Sequence, residues 1–308
     1  MILIITHKTD FTADFIINKL NKKKIPYKRF NCEDILTNNT TISYDSQFKY
    51  SILEENDFRS VWFRRTKLPD LGDIPLHQKS YLIGEIDSFA KNLFSILDAK
   101  WLSEPFAVYR SENKLLQLKI AQNLGFTVPA TMVTNSKEEL VLFYRKHNEN
   151  IIVKPISQTR ISNNNNASFI FTNKIERELI NKIEEYDLTP CIFQENIEKD
   201  YEVRVTVIGR QVFSAAVYSQ QDKETVTDWR RKKLFFKTVD LPDDIQILCV
   251  DILKALDLQF GAIDLIKTKS GDYVFLEINP NGQWVWIENE TGLPISDAII
   301  KFLTCETQ

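Results

Sequence analysis

Two acids and an amide near the C-terminal end of the chain have the spacing of a cation site. Gly261-Ala262-Ile263-Asp264-Leu265-Ile266 and Tyr273-Val274-Phe275-Leu276-Glu277-Ile278-Asn279 both have strand character, and Lys269-Ser270-Gly271-Asp272 between them carries turn chemistry. A hairpin centred on Ser270-Gly271 sets Asp264 opposite Glu277, with Cβ atoms about 4.5–5.5 Å apart. Two carboxylates that close repel unless something positive lies between them. Asn279, two residues beyond Glu277, projects from the same face by strand alternation. Two carboxylates and an amide oxygen form a hard, all-oxygen donor set of the kind that holds Mg²⁺ together with phosphates. The alternative is a solvent-facing hairpin with incidental acids, and the apolar neighbours Leu265, Ile266, Phe275, Leu276 and Ile278 argue against it.

Cations accompany these acids. Glu202, Arg204 and Thr206 alternate with Val203, Val205 and Val207, so one face of that strand is polar. Arg204 on the polar face suits bidentate bonds to a γ-phosphate or an acyl phosphate; the alternative is an ion pair with Glu202 or a neighbour. In the run Arg230-Arg231-Lys232-Lys233, Arg230 is the candidate for a catalytic or substrate role, against the commoner fate of a solvated charge run. Arg64 and Arg65 follow a candidate strand, where they either face a cleft or pair with surface acids. No Ser-His-Asp or Cys-His arrangement stands out. The set suits phosphoryl transfer, which needs positioning and charge neutralisation more than a protein nucleophile.

The elements that must position these residues read as α/β throughout. A strand over 2–5, an amphipathic helix through Phe11, Phe15, Ile16 and Leu20, and a strand near 27–30 form an opening β-α-β unit. A strand over 61–65 and a long helix over 78–97 follow. The pattern predicts a helix over 111–124 that is capped by Ser111 and stopped at Gly125. Strands over 131–134 and 151–155 flank a helix over 137–145. A polar loop over 157–167, rich in Ser and Asn and expected to be mobile, leads to a strand over 168–172 and a helix over 174–186. Strands over 191–194, 201–208 and 212–218 come next, with Gly209-Arg210 as a hairpin turn. A helix over 243–256, the acidic hairpin and a helix over 294–302 complete the chain.

At 308 residues the chain is long enough for two or three packed units. A net charge of −3 gives no nucleic-acid footprint. The first residues lack the features of a signal peptide, and no run approaches the roughly 18 apolar residues of a membrane helix. The expectation is a cytosolic (cytoplasmic) protein with neither nucleic-acid nor membrane partner. Cys32, Cys191, Cys249 and Cys305 are far apart and read as reduced structural thiols, not as a zinc site.

The ending Glu277-Ile278-Asn279-Pro280-Asn281-Gly282 resembles the metal motif of the ATP-grasp superfamily. By that resemblance Lys154 is the strand lysine that reaches the nucleotide phosphates, and Lys114 is the earlier nucleotide-contacting lysine. Gln194-Glu195-Asn196-Ile197 becomes the interlobe hinge that recognises adenine, and Glu202 the ribose-binding acid. The resemblance implies an N-terminal pre-ATP-grasp α/β domain over 1–108, a central lobe over 109–195 and a C-terminal lobe over 196–308, with the two lobes clamping ATP and two Mg²⁺ ions. The loop over 157–167 departs from the pattern, because the superfamily's phosphate loop is usually glycine-rich.

Further stretches resemble one branch, the macrocyclases of microviridin- and graspetide-type ribosomal peptides. These are Trp62-Phe63-Arg64-Arg65, Trp101-Leu102-Ser103-Glu104-Pro105, Glu112-Asn113-Lys114-Leu115-Leu116-Gln117-Leu118, Gly125-Phe126-Thr127-Val128-Pro129 and Asp228-Trp229-Arg230. The branch implies ATP-dependent joining of Asp or Glu side chains to Ser, Thr or Lys side chains of a precursor peptide made of a leader and an acidic core. It also implies a homodimer, and a substrate role for Arg64, Arg65, Asp228 and Trp229. Two readings stand beside it: a ligase adding free amino acids to a peptide or small acid, and a non-catalytic nucleotide-binding module.

Overall fold

The computed structural model describes residues 1–44, 46–156, 160–163 and 166–305. The first unit is a parallel sheet in the order Tyr27–Asn31, Ile2–Thr6, Ser60–Phe63, Lys100–Leu102. Every residue of Ile2–Thr6 is buried, as expected of a central strand covered on both faces. The helix Phe11–Lys22 starts at Asp10, whose carboxylate accepts from the N–H groups of Thr12 and Ala13. The chain leaves Ile2–Thr6 to one side and later returns on the other, so the carboxyl ends of Ile2–Thr6 and Ser60–Phe63 flank a topological switch point. Arg64 and Arg65 emerge there.

Several sequence expectations change. The helix expected from 111 is two helices, Pro105–Ser111 and Lys114–Leu124. The cap of the second is Asn113, which accepts from Leu116 N at 3.0 Å, while Ser111 is buried at the end of the first. Lys114 is therefore the first residue of its helix, fixed by the cap beside it. The helix expected over 174–186 shrinks to Arg177–Asn181 and a 3₁₀ turn, because within the segment only Ile175 and Ile183 are buried, eight residues apart. The hairpin Thr40–Tyr44 with Phe48–Ile52 and the helix Val285–Thr291 had no clear sequence signal. Part of the loop expected over 157–167, and its mobility, lies outside the described residues. Within that span Arg160–Asn163 pairs antiparallel with Asn166–Phe169, so the strand expected at 168 belongs to a hairpin.

The central sheet runs in the order Asn173–Lys174, Ile151–Lys154, Cys191–Glu195, Thr131–Thr134. It packs on the helix Lys137–Lys146 around a small core of its own, with Leu140, Phe143, Tyr144, Ile151 and Phe193 at the centre. The last sheet has five strands in the order Lys237–Thr238, Gln211–Val217, Lys199–Ile208, Phe260–Thr268, Tyr273–Asn279. Its apolar face shares one core with the N-terminal sheet: Leu3, Ile5, Val61 and Phe63 belong to the same cluster as Val203, Val205, Leu265 and Phe275. The first and last sheets thus make one body, and the central sheet a second.

All four cysteines are unpaired. Burial pushes the Cys32 and Cys249 thiols up to about 12, as suits structural thiols. Among the described residues no helix is long and apolar enough to cross a membrane.

Candidate active site

Asp264 and Glu277 are register partners, as are Arg204 and Asp264. Arg204, Asp264 and Glu277 therefore lie in a row across three neighbouring strands. Arg204 Nη1 donates to both carboxylate oxygens of Asp264 at 2.9 Å, and Lys114 Nζ lies 3.4 Å from Glu277 Oε2 at the other end. The row sets two acids side by side between two cations. Asn279 completes it, with Nδ2 3.4 Å from both Asp264 Oδ2 and Glu277 Oε1.

The sequence set Asp264 opposite Glu277, as the structure does, through an incomplete route. The turn is a three-residue loop, Lys269-Ser270-Gly271, closed by Thr268 N donating to Asp272 O at 2.9 Å, with Gly271 at φ +100°. That turn alone would set Asp264 opposite Leu276. Instead Leu265 pairs with Phe275, and a bulge between Asp264 and Leu265 in the register moves Glu277 into place. Leu276 and Glu277 both line the cleft. The bulge supplies one apolar and one acidic wall from consecutive residues, and periodicity alone gave no sign of it.

Electrostatics follow from this packing. Burial pushes the Asp264 carboxyl up and the facing Glu277 adds to the effect, against the pull of Arg204. Burial would also raise Glu277, but Lys114, Lys154, Arg230 and Arg204 outweigh it and hold that carboxylate below its usual range. The Lys154 ammonium is shifted down, chiefly by burial and then by Lys114, while Glu277 opposes the shift. Four cations converge on two carboxylates, an excess that suits a polyphosphate bringing its own metal.

One cavity of about 300 Å³ joins the row to the hinge. Except for Arg64, every candidate site residue lines it: the row, Lys154, the hinge 194–197, Glu202, Arg65 and the segment 228–230. At the hinge, Glu195 N donates to Ala130 O and Asn196 N to Asn150 O, each at 3.0 Å. These two amides are committed to the fold, and the Ile197 N–H is the hinge donor without a partner among the described residues. Gln194 is 0% exposed; its Nε2 donates to Thr131 Oγ1 at 2.8 Å, while its Oε1 is buried without a partner. A buried carbonyl oxygen left without a donor is costly, and its place in the cleft wall fits a ligand amine. Ile152, Ile170, Ile266 and Leu276 give the cleft apolar surfaces for a flat ring.

Glu202 accepts from Lys199 Nζ and Ser219 Oγ, each at 2.7 Å, in a buried pair that orients it on the cleft wall. Asp228 holds Arg230 through Nε at 2.8 Å and Nη2 at 2.6 Å. These bonds raise the guanidinium pKa further and keep Arg230 charged. Its neighbours separate from it: Arg231 binds Thr172 O and Asn173 Oδ1, Lys232 pairs with Asp222, and Lys233 sits over the Phe235 ring. Trp229 packs on Phe236 and Trp286.

Arg64 is not an open cleft residue. It is 1% exposed, pairs with buried Asp10 at 3.2 Å, and lines a second cavity instead. Sequence reasoning missed Gln117, which binds the backbone of Ile278 between Glu277 and Asn279. Gly282, which closes the Glu277–Gly282 motif, has a steric reason: a Cβ there would overlap Ala262 Cβ and press on Asn279 O at 3.2 Å. Ala262 is the strand partner of Asn279, so this glycine lets the turn fold back against the donor set.

Residues 111–303 match the RimK-like ATP-grasp domain family, and the chain belongs to it. The fold is that of ATP-grasp ligases. Macrocyclase MdnC of Microcystis aeruginosa, solved with precursor peptide MdnA, is 29% identical with a TM-score of 0.86, covering 98% of this chain and 99% of that one. An ATP-grasp ligase associated with ribosomal peptides from Chryseobacterium gregarium, solved with ADP and a leader and core peptide, is 30% identical with a TM-score of 0.89, covering 100% of this chain and 97% of that one. Among curated proteins, a probable alpha-L-glutamate ligase of Legionella pneumophila is 24% identical over 205 residues, which span 66% of each protein.

Proposed function

We propose that the protein is an ATP- and Mg²⁺-dependent ligase that activates Asp or Glu side chains of a ribosomal precursor peptide as acyl phosphates. It then joins them to Ser, Thr or Lys side chains of the same peptide. The carrying observation is the single cleft with an unpaired amide oxygen, Gln194 Oε1, at one end and the Arg204–Asp264–Glu277–Lys114 row at the other. The first end fits a purine amine and the second a triphosphate. The two structural neighbours solved with peptide, each matching nearly the whole chain, support the substrate class.

Asp264, Glu277 and Asn279 fit Mg²⁺. Their donors are hard oxygens, and the Asn279 amide, turned over, presents Oδ1 to a cation in place of Nδ2. When bound, two such ions would neutralise phosphate charge. The chain's own residues do the rest. The Ile197 N–H and Gln194 Oε1 hold the base, and Glu202 meets the ribose. Lys114 and Lys154 hold the phosphates, and Arg204 and Arg230 stabilise charge at the transferring group. A carboxylate oxygen of the peptide attacks the γ-phosphorus, the bond to the β–γ bridging oxygen breaks, and ADP leaves with that electron pair. A hydroxyl or amine then attacks the acyl carbon and loses its proton, and inorganic phosphate departs. Asp228 and Trp229 set the position of Arg230 beside the peptide.

The same reading takes 1–108, 109–195 and 196–308 as the working domains, a leader segment docking outside the cleft, a homodimer, and a cytosolic setting. The alpha-L-glutamate ligase relatives favour a second reading, addition of free amino acids to a peptide or small acid. Enzyme, ATP, Mg²⁺ and a Thr-, Asp- and Glu-rich peptide encoded beside the gene separate the two. Cyclisation releases ADP and lowers the peptide mass by about 18 Da per bond, whereas amino-acid addition raises it. Tight ATP binding with no ADP release from any acidic peptide would sink both.

A further inference from the structure

A second cavity, of about 510 Å³, lies across the Lys114–Glu277–Asn279 edge of the metal hairpin from the hinge. It shares Arg65, Lys114, Glu277 and Asn279 with the nucleotide cleft, so the two spaces meet at the reacting centre. Its other wall is Phe63 to Thr66, at the carboxyl end of Ser60–Phe63 beside the switch point of the parallel sheet. Crevices at that place in open α/β sheets are where ligands bind.

The cations of this wall are arranged for an anion. Arg64 is locked in place: Asp10 takes its Nε, and the guanidinium carbon sits 5.5 Å from the Trp62 ring centre. Its Nη2 is buried without a partner, so one arm of the fork remains unsatisfied. Arg65 is exposed and forms no ion pair among the described residues. Lys114 is engaged with Glu277 and Pro155 O. Phe63 and Tyr109 offer apolar walls to a short methylene stem, and the one other acid, Glu112, is pushed towards its neutral form by burial, against the pull of Arg65.

We infer that this cavity receives the peptide carboxylate destined for phosphorylation, with Arg65 binding it directly and Arg64 setting a fixed positive field behind it. The inference rests on the peptide-ligase reading and adds to it which wall selects the acid. A carboxylate held there sits at the Lys114–Glu277–Asn279 edge that this cavity shares with the nucleotide cleft.

The test is a cycle between Arg65→Ala and the peptide's acids. Peptide affinity is read by fluorescence anisotropy of the labelled acidic peptide used above and of a copy whose Asp and Glu are Asn and Gln. Nucleotide affinity is read with a fluorescent ATP analogue. The expected result is that wild type binds the acidic peptide about ten- to a hundredfold more tightly than the amide copy. That preference collapses to within about threefold in Arg65→Ala and returns in part with Arg65→Lys, while nucleotide affinity stays within about twofold. An unchanged acid preference in Arg65→Ala, or a loss confined to nucleotide affinity, overturns the assignment and makes Arg65 a phosphate ligand or a bystander. Arg64→Lys, which keeps the charge, should preserve folding and lower the acid preference less than Arg65→Ala does. If wild-type enzyme turns over no acidic peptide, the ligase reading falls first and this assignment with it.

Discussion

The side-chain amide of Gln117 pairs with both backbone groups of Ile278, accepting from its N–H at 3.0 Å and donating to its carbonyl at 2.8 Å. The same Nε2 also donates to Ser111 O at 2.6 Å. Gln117 is 2% exposed and sits on the helix Lys114–Leu124, one turn beyond Lys114. It acts as a missing strand for the edge strand Tyr273–Asn279, and ties the helix that presents Lys114 to the residue between Glu277 and Asn279.

Gln117→Leu keeps the volume and removes all three bonds. The expected loss is about 1–3 kcal/mol of stability, from unpaired buried backbone groups. At a temperature where the variant is folded, activity should need more Mg²⁺ than wild type needs. Urea unfolding and a Mg²⁺ titration of ADP release check the two parts. An unchanged Mg²⁺ requirement would make Gln117 a purely structural link.

Arg204→Ala strips the one cation bound to Asp264 among the described residues and leaves two carboxylates side by side. The turnover number should fall about a hundredfold or more, as when a transition-state donor is removed, while nucleotide affinity changes far less. Chelation of Mg²⁺ should abolish turnover of the wild type, and Mg²⁺ should restore it. Steady-state kinetics with separate ATP and peptide titrations decide both points.

Gln194→Ala removes the unpaired oxygen at the hinge. The KM for ATP should rise about tenfold or more, and the preference for ATP over GTP should shrink by a similar factor, because guanine presents an oxygen where adenine presents its 6-amine. Equal selectivity in variant and wild type would place the base elsewhere.

Much of this site could be read directly from sequence, and what was missed has physical causes. Alternation placed Arg204 and Asn279 on their faces, because a two-residue period survives in any flat strand. The acid pair was found, but the bulge that creates it is invisible to periodicity, since one extra residue changes no composition. Asn113 and Ser111 are both competent caps; which one starts the helix depends on Pro105–Ser111 being a helix already, a tertiary choice. Gln117 reads as an ordinary helix glutamine until the strand beside it is known. Arg64 and Arg65 look equivalent in sequence and part completely in the fold, one buried on Asp10 and one exposed between two cavities.

The thiols give a pH signature. Cys32 and Cys249 are held neutral by burial, each pushed up from 9.0 to about 12. A raised thiol pKa means the folded state binds the proton more tightly than the unfolded chain. The stability it contributes is complete below pH about 9 and is lost as pH rises from there towards 12. A thiol reagent at pH 8 should label exposed Cys305 at once, and Cys32 and Cys249 only after denaturation. Rapid labelling of all four in the native protein would contradict this packing.

The division of the core into two large clusters shared by the first and last sheets and a small central one carries a thermodynamic consequence. Any parting of the central sheet from the main body breaks polar ties, such as Thr172 N to Asp228 Oδ2 at 3.1 Å and Arg231 Nη2 to Thr172 O at 3.1 Å, and leaves all three apolar clusters intact. Heat capacity on binding tracks apolar burial. Closure of this cleft on nucleotide should therefore leave only a slight calorimetric trace, small beside the heat capacity of unfolding.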